Sequence, residues 1–200
     1  MKYVVLLLVL RPLMTLTQEN ILFVGNTDNI CIDSILPFAD TSSALPKEID
    51  HYEVIFIFSN ARSVLTTHDQ NQLLNFLSMG KGLYLGSENW PLQAESNQVT
   101  ETLYEKKVWG NFETTVATAD SKGLLKELKS FPAGNTTVAF PMDYRLNVDA
   151  WINDEPLILS GLVKGGRLII DGGYSRFYCN WDHVLNREIM RYFIDFLKRP

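Results

Sequence analysis

The chain has 200 residues, enough for one α/β domain with a sizeable core. Hydrophobic residues make up 46% of it and charged residues 20%, which excludes a disordered chain. The net charge of −5 comes with no basic block, so neither nucleic acid nor an anionic membrane surface is expected as the main partner.

Lys2 precedes the apolar run Tyr3–Leu10, and Thr15, Thr17 and Gln18 follow. That is the layout of a short secretory signal, in a run too short to span a bilayer. Residues 1–18 are therefore expected to be a signal peptide, and 19–200 a single exported domain. The alternative is that Tyr3–Leu10 is the first strand of a cytoplasmic protein.

Ile21–Val24 reads as a buried strand and Gly25 to Asn29 as a turn. Asp28 is placed to cap a helix from about Ile30 to Phe38, with Ile32, Ile35 and Leu36 facing inward and Pro37 limiting its length. A short strand is expected within Asp40–Leu45, then a polar linker to Tyr52.

The stretch Glu53 to Trp90 organises the rest. Val54–Phe58 is a run of β-branched, aromatic and apolar residues, as in a strand buried on both faces. Thr66 or Thr67 caps a helix whose Leu73, Leu74 and Leu77 share one face, and Gly80 and Gly82 end it. Leu83–Leu85 is a second strand. Such a unit is a right-handed crossover in a parallel sheet, where ligands collect beyond the strands' carboxyl ends.

Pro91 suits a helix start, with the helix over Gln93–Tyr104. Lys106–Val108 and Phe112–Val116 read as strands around Gly110-Asn111, Ser121–Leu128 has helical spacing, and Thr136–Pro141 is extended. Pro156–Leu162 and Arg167–Asp171 are joined by a hairpin signal, Lys164-Gly165-Gly166. A closing helix runs from about Asn186 to Lys198, with Ile189, Met190, Phe193, Ile194 and Leu197 on one face. The alternation predicts a three-layer α/β/α sandwich with a mostly parallel sheet and a late antiparallel hairpin.

The segments EVIFIFSN, LTTHDQNQLLNFLSMGKGLYLGSEN and KGGRLIIDGG, followed by a C-terminal helix, resemble the class I glutamine amidotransferase-like superfamily, in its non-catalytic branch. The resemblance implies that fold. In catalytic members a Gly-x-Cys-x-Gly elbow follows the strand matching Gly82–Leu85. Here it reads Gly86-Ser87-Glu88-Asn89-Trp90, which puts Glu88 at the position of the nucleophile. The family's His-x-Glu is matched by Asp171-Gly172-Gly173-Tyr174. The resemblance thus implies a pseudoenzyme without glutamine hydrolysis. The residues agree: Cys179 and His183, four positions apart, are the sole thiol and imidazole close in sequence, outside any elbow.

Two loops are expected at the carboxyl edge, Ser87–Trp90 and Gly172–Asp182. They offer Glu88, Asn89, Trp90, Asp171, Tyr174, Arg176, Tyr178, Trp181 and Asp182 as ligand-binding residues, with rings to stack and polar groups to orient. The structural alternative is that Arg176 pairs with Asp182 or Glu88 and holds the loops together. Glu88, Asp171 and Asp182 also read as an acid/base or oxygen-ligand cluster, although the spacing of a dedicated calcium loop is missing; no metal or cofactor is expected. Cys31 and Cys179 fall at the same edge, either as a disulfide or as two buried thiols. Asn135-Thr136-Thr137 is a glycosylation sequon, uninformative by itself. The expected function is binding of a carbohydrate, peptide or protein partner. A hydrolase using Glu88 with Asp171 or Asp182, and a structural module of a surface assembly, are the alternatives.

Overall fold

The computed structural model describes residues 20–31, 36–61, 64–181 and 183–199. The expected signal at 1–18 lies outside these, as do Asp182 and residues 32–35, which include Ile32 and Ile35 of the helix anticipated after Asp28.

In chain order the elements are β1 (Ile21–Gly25), β2 (Asp40–Ser42), β3 (Val54–Phe58), α1 (Thr67–Ser78), β4 (Gly82–Gly86), α2 (Ala94–Tyr104), β5 (Trp109–Phe112), β6 (Val116–Ala119), β7 (Ser130–Pro132), β8 (Thr137–Ala139), β9 (Asn147–Ile152), β10 (Glu155–Val163), β11 (Gly166–Asp171) and α3 (His183–Leu197). Nine strands form one mixed sheet in the order β2-β1-β3-β4-β11-β10-β9-β6-β7, and β5 pairs with β8 apart from it. Strands β2 to β11 in that order are parallel. The remaining pairings, from β11–β10 to β6–β7, are antiparallel. The antiparallel part is thus larger than the single late hairpin expected.

The period-two alternation of the central strands builds a core on each face of the sheet. Phe23, Phe56, Phe58, Tyr84 and Ile169 pack with Ile189, Met190 and Phe193 of α3. Leu22, Ile55, Ile57, Leu83, Leu85 and Ile170 pack with Leu73, Phe76 and Leu77 of α1 and Val99 of α2. The Phe23 and Phe56 rings stack at 4.8 Å between centroids. Of the two expected caps, Thr66 starts helix α1, in a capping box: Thr66 Oγ1 accepts from Asp69 N–H at 3.2 Å, and Asp69 Oδ2 accepts from Thr66 N–H at 2.8 Å. The hairpin between β10 and β11 turns on Lys164 (φ 54°) and Gly165 (φ 96°), two left-handed residues in the pattern of a two-residue hairpin loop.

The apolar spacing of α2 is weak because much of its inward face is polar. Ser96 Oγ donates to Gly86 O at 2.9 Å, and Glu95 Oε2 accepts from the N–H groups of Asn60 and Ala61 at 3.1 and 3.2 Å. The helix docks onto strand ends through hydrogen bonds as well as through Val99.

Three local expectations are corrected. Gly110-Asn111 is not a turn between strands but lies inside β5, where Gly110 (φ 89°) accompanies a register shift against β8. Ser121–Leu128 is not a helix; only Lys126–Leu128 forms a 3-10 turn. There Asp120 Oδ1 takes the Lys122 N–H at 2.8 Å and Asp149 Oδ1 takes the Leu124 N–H at 2.6 Å, so side chains compete for amides a helix would use. Ile30 does not open a helix; it forms an antiparallel bridge with Tyr178.

Candidate functional site at the carboxyl edge of the sheet

Strands β1, β3, β4 and β11 run in register, so Gly25 faces Phe58, Phe58 faces Gly86 and Gly86 faces Asp171. Their carboxyl ends share one edge. The loops that leave β4 and β11 therefore depart side by side, and Ser87 N–H donates to Asp171 O at 2.7 Å.

Glu88 is fully buried and both its oxygens are used. Oε1 accepts from Ser175 N–H at 2.7 Å, and Oε2 accepts from Thr136 N–H and Thr136 Oγ1 at 3.0 and 2.9 Å. Arg176, also fully buried, pairs through Nη1 with Asp171 Oδ2. Its Nε donates to Pro132 O at 3.0 Å and its Nη2 to Ala133 O at 2.7 Å. Asp171 Oδ2 further accepts from Tyr84 OH at 2.7 Å, and Oδ1 from Gly173 N–H at 3.0 Å. Gly173 is required by space: a Cβ there would lie 2.0 Å from Ala133 O and 2.8 Å from Arg176 Nη2. Tyr174 OH donates to Ser59 O at 2.6 Å.

The structure thus joins Glu88, Asp171, Tyr174 and Arg176, as expected, but as an internal brace. None presents surface to a ligand, because each satisfies its polar atoms on neighbouring loops, and a buried charge is tolerated only when so satisfied. Arg176 is salt-bridged to Asp171 rather than to Glu88; Asp182, the other partner expected for it, lies outside the described residues. For the same reason a hydrolytic pairing of Glu88 with Asp171 has no access to substrate. The remaining expected residues lie closer to solvent: Asn89 is half-buried and joined to Asn111, Tyr178 and Trp181 are half-buried, and Trp90 is 73% exposed. Among the described residues, no group of three or more His, Cys, Asp or Glu side chains is placed to hold a metal ion.

Burial holds the Glu88 carboxyl above the ordinary carboxylate range, against the bonds from Ser175 and Thr136 and the charge of Arg176. A folded value above the unfolded one means that Glu88 supports the fold most when protonated, and that this support is lost as pH rises through the folded value. Asp143 runs the other way. Arg145 bonds it twice at 2.7 Å and Lys106 Nζ lies at 3.0 Å, which lowers its pKa well below 3.8. Its contribution is present above the unfolded value and lost as pH falls through the folded one. Asp143→Asn is therefore expected to be less stable than the parent at neutral pH, with the difference shrinking as denaturant titrations are carried below 3.8. A difference independent of pH would contradict the pairing.

Beside the brace an open cleft of about 440 Å³ lies at the carboxyl ends of β1 and β3. Gly25, Asn26, Asp28, Asn29, Ser43, Asn60 and Leu92 line it. Asn26 Nδ2 donates to the hydroxyls of both Tyr174 and Tyr178 at 3.1 Å, so the brace holds the cleft wall. None of these lining residues was named as ligand-binding from the sequence, where Asp28 was read as a helix cap. Their signal was the polar, Asn-rich stretch after each of two apolar strands, Gly25-Asn26-Thr27-Asp28-Asn29 and Ser59-Asn60, which by itself is ordinary turn composition.

Cys31 and Cys179 form a disulfide, with their Cα atoms 5.0 Å apart. Cys179 N–H donates to Asn29 O at 2.9 Å and Cys31 N–H to Phe177 O at 3.3 Å. The bridge fastens the cleft-bearing loop after β1 to the loop after β11. It also takes Cys179 out of any thiol chemistry with His183. Among the described residues no helix is long and apolar enough to cross a membrane.

No family model matches the chain, and no curated protein matches it either. Solved structures do. The cytoplasmic protein STM3548 from Salmonella typhimurium aligns with a TM-score of 0.68 at 13% identity, covering 90% of this chain and 99% of its own. The N-terminal domain of mmIFT52 aligns at 0.69 and 11%, covering 90% and 97%. A ThuA-like protein from Bacteroides uniformis aligns at 0.55 and 11%, covering 88% and 89%. At these identities the likeness is one of fold: a mixed α/β domain whose large sheet carries helices.

Proposed function

We propose that this chain is an exported, non-catalytic domain of amidotransferase-like three-layer architecture, and that it binds a hydroxyl-rich ligand of the carbohydrate class at the carboxyl edge of its sheet. The observation that carries the reading is the cleft itself, whose lining is mostly polar: Asn26, Asp28, Asn29, Ser43 and Asn60, with the Asn26 amide group held by Tyr174 and Tyr178. Carboxamides offer a donor and an acceptor side by side, which suits neighbouring sugar hydroxyls, and a carboxylate adds a strong acceptor. The location is where open α/β sheets bind ligands. The ThuA-like neighbour supports the amidotransferase-like assignment, and the core on each face of the sheet fits three layers. The disulfide supports export, because such bridges persist in oxidising compartments. Glu88, standing where the resemblance puts a nucleophile, spends its carboxylate on Ser175 and Thr136. That supports a binding role over a hydrolytic one.

Titration calorimetry against a panel of neutral oligosaccharides tests the proposal. Asp28 and Asn29 are exposed, so the double variant Asp28→Ala/Asn29→Ala is expected to keep the parent's melting temperature. It is expected to lose binding by roughly tenfold or more, the loss of one or two hydrogen bonds. No heat with any sugar, or equal affinity in parent and variant, would overturn the assignment.

A further inference from the structure

We propose that Asn135 is an N-glycosylation site, modified as the chain enters an oxidising secretory compartment. This rests on the export reading but not on the cleft. Asn135 heads the one Asn-x-Ser/Thr triplet in the sequence, Asn135-Thr136-Thr137, with no proline in the middle position. The fold puts it at the exposed tip between β7 and β8. Its backbone N–H is anchored on Ser175 Oγ at 2.7 Å. The rest of the triplet is turned inward. Thr136 serves Glu88, and the buried Thr137 donates its hydroxyl to Phe112 O at 2.8 Å. Asn135 thus points the one modifiable side chain of the triplet outward, while the hydroxyl that completes the sequon is accessible before β8 forms.

The donor is an oligosaccharide linked to a lipid through pyrophosphate. Nδ2 of Asn135 bonds to the anomeric carbon of the first sugar. The bond from that carbon to the pyrophosphate oxygen breaks, the lipid pyrophosphate leaves with the electron pair, and Nδ2 gives up one proton. A second feature fits a sugar here. Asn89 N–H donates to Thr136 O at 2.8 Å, so Trp90, 73% exposed, stands one residue from that link. An indole so exposed is a surface on which sugar rings can stack.

The full chain, with its own N-terminus, is expressed in a glycosylating eukaryotic host. Parent and Asn135→Gln are then compared by intact mass before and after peptide N-glycosidase. The parent is expected to lose one oligosaccharide on treatment, and Asn135→Gln to be secreted with the disulfide formed, at the mass of the bare chain. Parent secreted at the bare mass overturns the glycan while leaving export standing. A parent that never enters the secretory pathway overturns both. A glycan that persists in Asn135→Gln overturns the assignment of the residue.

Discussion

Arg176→Met is expected to lose about 3–5 kcal/mol of folding stability in urea titration, the range for removing one partner of a buried ion pair. The guanidinium is fully buried, as is the Asp171 carboxylate it meets. Methionine fills comparable volume but supplies no proton. Asp171 would keep Tyr84 and Gly173 as donors yet carry an uncompensated charge, and Pro132 O and Ala133 O would lose the donors they have now. Against a typical total of about 5–15 kcal/mol, the loss leaves a marginal domain. Arg176→Lys keeps the charge but has no planar fork to serve the carboxylate and two carbonyls together, so it should fall between parent and Met. The double variant Arg176→Met/Asp171→Asn removes both charges and is expected to recover part of the loss. If Arg176→Met cost under about 1 kcal/mol, the brace would not be what holds the two loops together.

Removal of the disulfide should have the next largest effect. Cys31 and Cys179 are 148 residues apart, so the bridge closes nearly the whole described chain. Cys31→Ala/Cys179→Ala is expected to lose about 2–5 kcal/mol, or roughly 4–20 °C in melting temperature for a domain of this size. Addition of a reductant to the parent should match it. The loss has a local signature too. The Ile30–Tyr178 bridge and the paired amides of Cys31 and Cys179 lie beside the crosslink, so amide exchange should quicken there before it does in β3 or β4. Asn29, a wall of the cleft, is bonded to Cys179. Reduction is therefore expected to weaken the proposed carbohydrate binding as well as stability. An unchanged melting temperature in reductant would contradict the crosslink.

The brace and the bridge clarify what Glu88 does. Glu88 leaves the carboxyl end of β4, and its side chain bonds backward into the loops of Thr136 and Ser175. A residue at a strand's carboxyl end is well placed to meet either a ligand or the next loop, and its surroundings decide which.

Much of the fold was legible along the chain. Continuous apolar runs marked β1, β3, β4 and β11, because strands covered on both faces leave no polar positions. The pair Thr66 and Thr67 marked the start of α1 to within one residue, and the wide apolar face of the last helix announced α3. These signals are local, held in side chains a few residues apart. Strand β9 was missed because its burial does not alternate cleanly and it carries a buried Asp149, while β7 is only three residues long. The sequence also named Glu88, Asp171 and Arg176 as neighbours, since the crossover rule sends parallel strands to one edge. It did not decide which of them faced water. Burial depends on loops from Thr136 and Pro132 that arrive from elsewhere in the chain and claim those side chains. The cleft followed from the same cause. Asn26 and Asn60 read as ordinary turn residues until the tertiary structure set two turns side by side, and no spacing within either turn carries that information.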